Sequence, residues 1–326
     1  TATRAEIKTF RAEARLLRAM SYYYMMDLFG KANFATEEDP INAIPQAYDR
    51  AQLFDFVETE LKAIDADLAD PLANEHGRAS KGVAWMILAK IYLNAEVYIG
   101  QPKYTECLDY SKKLIAGGYS LATDYKHNFM ADNDVNSAKN EIIFPLISDG
   151  TFTKNYGPTT VMINGSVGSI EANGTALGVG AGGWGGALRL RKQFVALFDG
   201  GIYNNDRRNG IISGTRSREI TDISDKDQGF ILEKYSNATS TGSFGADQTF
   251  VDTDFPLFRL ADVYLMYAEA HLRGGAGGSN TDMESYINSL RSRANNPQNN
   301  LTATDITLDF IIDERARELH WEAHRR

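Results

Sequence analysis

The stretch GVGAGGWGGALRLRK, residues 178–192, is the part of the chain whose residue types most suggest chemistry. Gly178, Gly180 and Gly183 satisfy G-x-G-x-x-G, the spacing with which dinucleotide-binding loops bring backbone N–H groups to a pyrophosphate. That chemistry needs a buried strand ahead of the loop. VMINGSVGSIEANGTALG, residues 161–178, is punctuated by Gly and Asn instead, and Trp184 would crowd the helix entry even though Asp199 lies at a tolerable distance for a ribose contact. The expected role of the glycines is therefore to leave the Trp184 indole exposed on both faces. Such a ring stacks on the C–H face of a pyranose while polar neighbours bind its hydroxyls. Tyr156, in TKNYGPTT, is a second loop ring of the same kind. The competing role for both rings is to plug the loops onto the body of the protein. Trp85 and Trp321, on the apolar faces of helical segments, are expected in the core.

The other constellations are weaker. His320 and His324 are four apart and would share a helix face, but Trp321 stands where a zincin places Glu. They read as part of a polar face with Glu318, Glu322, Arg325 and Arg326. Asp132, Asp134 and Asn136 alternate as in a calcium loop, yet Ser137 and Ile143 occupy the places of the required Gly and Glu, so turn-forming Asx residues are expected. Asp262 and Glu269, with Arg259 and Arg273 nearby, read as helix ion pairs, and neither they nor Asp254 mark an acid and nucleophile for glycoside hydrolysis. The single cysteine, Cys107, permits no intrachain disulfide and is expected to be a small buried residue. The reading is thus a non-enzyme with no catalytic residue, metal site or cofactor.

A net charge of -9 argues against a nucleic-acid partner and against an anionic membrane surface. No run of about 18 apolar residues is present to span a bilayer. Both ends read as cut from something longer, since each falls within a helical pattern.

The elements that would position these residues are mostly helical. Ile7, Phe10, Ala14, Leu17, Ser21, Tyr24 and Leu28 recur at spacings of three and four over residues 4–29, and Gly30 ends that helix. A second helix is expected over 49–69, and a helical pair over 80–95 and 103–116 with a turn at EVYIGQP. Residues 258–272, the stretch after the GGAGGSN loop, and about 304–324 are read as further helices. These pairs loosely resemble tetratricopeptide hairpins. Between them, residues 117–254 are rich in Gly, Asn, Ser, Thr and Asp, with strand-like runs at 141–148 and 229–236. The fold class expected is mostly α: a tetratricopeptide-like scaffold (1–116 and 255–326) with a long irregular, ligand-binding insert (117–254) carrying short strands, all within one domain of residues 1–326.

Several long stretches, in order, resemble the RagB/SusD family of glycan-binding outer-membrane lipoproteins. RAEARLLRAMSYYYMMDLFG resembles its N-terminal helix, and GRASKGVAWMILAKIYLNAEVYIG with CLDYSKKLIAGGYSL its central hairpin. NEIIFPL resembles the strand that follows, and FPLFRLADVYLMYAEAHL and IIDERARELHWEAHRR its late helices. The resemblance implies a surface protein that captures oligosaccharides and passes them to a SusC-like TonB-dependent transporter, held at the outer membrane by an N-terminal lipid anchor outside this chain. In the starch-binding member an arc of aromatic rings cradles the glucan. By motif, Tyr156-Gly157 and the G-W-G-G around Trp184 correspond to two of them, and the third belongs to a loop before residue 1. Asn155 and Arg189 are added as a polar rim from proximity alone. The competing function is a protein–protein interaction module of the uptake complex, its helical hairpins binding a partner without direct contact to glycan.

Overall fold

The computed structural model describes residues 3–40, 42–167, 174–185, 187–296 and 300–324. Helix α1 (Arg4–Phe29) opens with a capping box, in which the Thr3 hydroxyl accepts from the Glu6 N–H and the Glu6 carboxylate accepts from the Thr3 N–H. It stops at Gly30, whose φ of 76° is the left-handed conformation that glycine adopts without strain. Strands β1 (Lys31–Phe34) and β2 (Gln46–Asp49) form an antiparallel pair, followed by α2 (Arg50–Ile64), α3 (Lys81–Leu93), α4 (Ala95–Ile99) and α5 (Tyr104–Ile115). Then come β3 (Ile142–Leu146), α6 (Pro158–Ser166), α7 (Lys192–Ala196), β4 (Ile211–Ile212), β5 (Ile231–Leu232) and β6 (Phe255–Arg259). The chain continues with α8 (Leu260–Leu272), α9 (Asn280–Arg293) and α10 (Leu308–Leu319). Two compact units are distinguishable: Thr1–Tyr119 with Met266–Ser279, and Ser120–Leu265 with Asn280–Arg326.

In the first unit α1 packs on α2 and α3 on α5. Helix α3 is apolar nearly all round and buried from Val83 to Tyr92 apart from Trp85, as a helix covered by neighbours on several sides must be. Gly82 allows that covering: a Cβ there would lie 2.1 Å from the Tyr119 hydroxyl. Cys107 is fully buried on the inner face of α5, as expected. The face of α1 differs from expectation. Ala12, Leu16, Ala19, Tyr23 and Met26 are buried, whereas Ile7, Phe10, Leu17 and Leu28 are exposed. Both stripes satisfy helical spacing, and the packing of α2 selects the one that is buried. The segment EVYIGQP also differs: its first part forms α4 rather than a plain turn.

The second unit is built around β3 and β6, which pair antiparallel with Pro145 opposite Pro256. A two-stranded sheet tolerates both prolines because each strand has an edge that needs no N–H. FPLFR is therefore a strand, not the start of the helix expected over 258–272. A short continuous apolar run does not distinguish the two by periodicity. The rest of residues 120–254 is turns, 3-10 segments, α6, α7 and the small β4–β5 pair.

Behind β6 lies a buried ionic network. Among the described residues, the cations Arg208, Lys234, Arg259, Arg293 and Arg317 face the carboxylates Glu141, Asp206, Glu314, Glu318 and Glu322. Arg259 is fully buried, and donates to Glu322 at 2.6 Å, to Glu318 at 2.7 Å and to Glu141 at 2.9 Å. Burial alone would raise the Glu318 carboxyl, but the guanidiniums of Arg293, Arg259 and Arg208 outweigh it and hold the group well below the ordinary carboxylate range. Burial likewise lowers the Lys234 ammonium to about 8, with Glu322 opposing the shift.

Candidate functional site

Two loops of the second unit meet at its surface. The first ends in Asn155-Tyr156-Gly157 and runs into α6 at Pro158, a residue preorganised for a first helical turn. The Asn155 side-chain oxygen accepts from the Gly157 N–H at 2.7 Å, and a Cβ on Gly157 would lie 2.5 Å from that oxygen. This closed turn holds Tyr156 out, 68% exposed. The second loop is the glycine-rich stretch, and it is tied down. The Trp184 N–H donates to the Asn164 carbonyl at 2.8 Å, Leu188 N–H to the Gly165 carbonyl at 2.9 Å, and Gly180 N–H to the Gln248 carbonyl at 3.1 Å. Gly183 is required on two grounds: its φ is +40°, and a Cβ there would lie 2.6 Å from the backbone oxygen of Val167. Gly185 is also left-handed, at +70°, while Gly180 and Gly182 border open space.

The two rings meet at a centroid distance of 6.1 Å with their planes tilted by 46°. Trp184 is 37% exposed, less open than the expectation of two free faces, because its backbone is fastened to the end of α6 and Tyr156 leans on the ring. Phe250 supports the pair from behind Tyr156, edge-on at 5.2 Å and 61°. Asp247 accepts from the N–H groups of Phe250 at 3.0 Å and Thr249 at 2.7 Å, fixing the Phe250 turn. Those two donors, the Phe250 N–H first, pull the Asp247 carboxyl below its usual range. The Asn164 amide bonds the carbonyls of Thr160 and Thr249, so α6 links the Trp184 loop to the Phe250 turn.

Arg189, expected at the rim, has its guanidinium on the backbone carbonyls of Ile223, Asp225 and Gln228, where it fastens the 223–228 loop. Among the described residues no contact joins it to Tyr156 or Trp184. Gly186 and residues 168–173, which belong to the same expected loop region, lie outside the described residues.

The other expected constellations resolve into structural roles. Helix α10 ends at Leu319, and Trp321 and Ala323 take left-handed backbone, so His320 and His324 do not share a helix face. His320 stacks on Phe194 at 3.6 Å, and His324 faces Asp262 at 3.4 Å. Glu318 and Glu322, expected on that polar face, lie in the buried network instead, and Arg325 and Arg326 fall outside the described residues. Trp321 is half-buried against the cluster of Leu190, Phe194 and Phe198. Trp85 is also half-buried, its Nε1 donating to Asp65 at 2.6 Å. Asp132 accepts from Ser240 and Asn136, within a set of turns as expected. Asp262 pairs with Arg315 at 2.7 Å rather than with Arg259, and Glu269 pairs with Arg273 one turn along α8.

The sequence pattern of the SusD family matches residues 190–326. Over 99% of its length the chain is 36% identical to the starch-binding protein SusD of Bacteroides thetaiotaomicron. The chain is thus similar to SusD-family proteins along its whole length. It is 26% identical to a SusD-like protein of Bacteroides ovatus over 95% of its length. The chain spans 64% and 56% of those two relatives, less than two thirds of either. Solved structures share the fold. A laminarin-binding SusD-like protein superposes with a TM-score of 0.74 at 22% identity, over 99% of this chain and 70% of that one. Surface glycan-binding protein A from Bacteroides uniformis gives 0.72 at 22% identity, over 99% and 66%. The sequence signals for Tyr156 and Trp184 were their glycine neighbours. Phe250 had a fainter one: the Asp247-x-Thr-Phe spacing of an Asx turn, which projects the residue that follows it.

Proposed function

We propose that this chain is the glycan-binding part of a non-catalytic surface protein. It captures oligosaccharides and delivers them to a SusC-like TonB-dependent transporter in the outer membrane. The observation that carries the reading is the Tyr156–Trp184 pair, two rings held at the surface by bonded turns and tilted against one another. Apolar ring faces bordered by polar turn residues match the amphipathic surface of a sugar, and a 46° tilt suits a ligand that bends rather than a flat sheet of chains. The exposed Asn155 amide supplies a polar neighbour beside Tyr156. Relatives and structural neighbours are named for binding starch and laminarin, and one neighbour was solved with a xylogluco-oligosaccharide.

On this reading residues 1–326 belong to one SusD-like domain, with the ligand on the 117–254 insert and helices as its frame. As in the family the chain resembles, a lipid anchor outside the chain would hold it to the membrane; no helix among the described residues is long and apolar enough to cross one. The competing function, a partner-binding module without glycan contact, draws on the apolar stripe that α1 leaves exposed. Calorimetric titration with maltoheptaose, laminarihexaose and a xylogluco-oligosaccharide separates the two. Binding of at least one is expected, with a dissociation constant on the order of micromolar to millimolar for an open surface site. Trp184→Ala is expected to abolish it. Unchanged binding by that variant removes the assigned platform. No binding by the wild type to any of the three, with a transporter still captured, favours the interaction module.

A further inference from the structure

Phe152, between Thr151 and Thr153, is 86% exposed, more than Tyr156 or Trp184. Single exposed apolar residues are ordinary on protein surfaces and carry no meaning alone. The turn that holds this one is not ordinary. One Asp149 carboxylate oxygen accepts from the N–H groups of Thr151 at 2.5 Å and Phe152 at 2.8 Å. The Thr153 hydroxyl donates to the Asp149 carbonyl at 2.9 Å and accepts from the Asp149 N–H at 3.2 Å, and Lys154 N–H reaches the same carbonyl at 3.1 Å.

The turn is also joined to the site. Gly150 donates its N–H to the Asp252 carboxylate at 2.6 Å, and a Cβ on Gly150 would lie 2.4 Å from the carbonyl oxygen of Phe250. The Phe152 turn therefore sits flush on the strand of chain whose Phe250 ring packs against Tyr156. Two residues span at most about 7 Å, so Phe152 stands a short step from that contact.

We propose that Phe152 is a further ligand-contacting residue, the aromatic platform of a second glycan subsite that adds to the Tyr156–Trp184 platform and sets a preference for longer chains. The inference rests on the glycan-binding reading. Its ligand class is an oligosaccharide long enough to reach from Trp184 past Tyr156 to the 149–154 turn.

The test is calorimetry of wild type and Phe152→Ala against length series of malto-, laminari- and xylogluco-oligosaccharides, with Trp184→Ala alongside. In the wild type, affinity for the bound series rises with chain length. In Phe152→Ala the rise from the shortest to the longest ligand is cut about fivefold, the order expected for losing one aromatic contact. Phe152 makes little contact with the protein, so a folding defect does not confuse the result, and a thermal melt confirms that. An unaltered length dependence in Phe152→Ala overturns the second subsite while leaving the Trp184 platform standing. Equal weakening at every length also overturns it, because Phe152 would then belong to the first subsite. Failure of the wild type to bind any series sinks the function itself.

Discussion

The interior and the aromatic surface of the second unit reverse the usual distribution of side chains. Inside, around β6 and α10, arginines and glutamates are packed where apolar groups are the rule. Outside, Tyr156, Trp184 and Phe152 hold rings at the surface. The difference lies in what each set has left to offer. Every cation in the buried network is met by carboxylates, so its groups are spent on one another and on the fold. The surface rings have their backbones bonded and their faces partly open, so what remains to them is contact with something else. Charge in this protein is spent on structure, whereas the surface rings are left open for the recognition proposed above.

The largest effect that would break this contrast concerns Arg259. Replacing it with Met leaves Glu141, Glu318 and Glu322 buried with a cation fewer, and the stability measured by chemical denaturation is expected to fall by about 3–5 kcal/mol. Trp184→Ala in the same assay is expected to lose only about 1 kcal/mol, as its side chain is incompletely buried. Equal losses in the two variants would mean that the surface ring is a structural plug after all.

A smaller effect sharpens the account of the interior. The folded Lys234 titrates at about 8 against an ordinary value of 10.5. Between those values the unfolded chain holds more protons than the folded one, so this group makes stability rise with pH in that window. Wild type is therefore expected to gain on Lys234→Met by on the order of 1 kcal/mol per pH unit above pH 8. Parallel curves across that range would show that Lys234 is not desolvated as the structure has it.

Much of the helical frame was legible because long amphipathic helices announce their period, and caps such as Thr3, Asp49 and Gly30 announce their ends. The inward face of α1 was not, since two stripes of the same helix satisfy the same spacing and only the packing partner decides between them. The β6 strand was hidden for the complementary reason: FPLF is a short apolar run without a period, and the Arg259 that follows it is buried too. His320 and His324 misled because the spacing of four has meaning only on a continuous helix, and the helix stops at Leu319. The partners of Arg259 lie 118, 59 and 63 residues away, beyond any local pattern. Tyr156 and Trp184 were legible from glycine-flanked rings and from family resemblance, and the structure brings them together. Proximity in sequence was a poor guide to Arg189, whose guanidinium is committed to the 223–228 loop.

The central claim is that a sugar lies against the Trp184 indole. Acrylamide quenching of tryptophan emission, taken as the difference between wild type and Trp184→Phe, isolates this ring from Trp85 and Trp321. The account predicts that it is readily quenched in the free protein and shielded at saturating concentration of whichever oligosaccharide binds. Identical quenching with and without that ligand, in protein shown to bind it, would contradict the account.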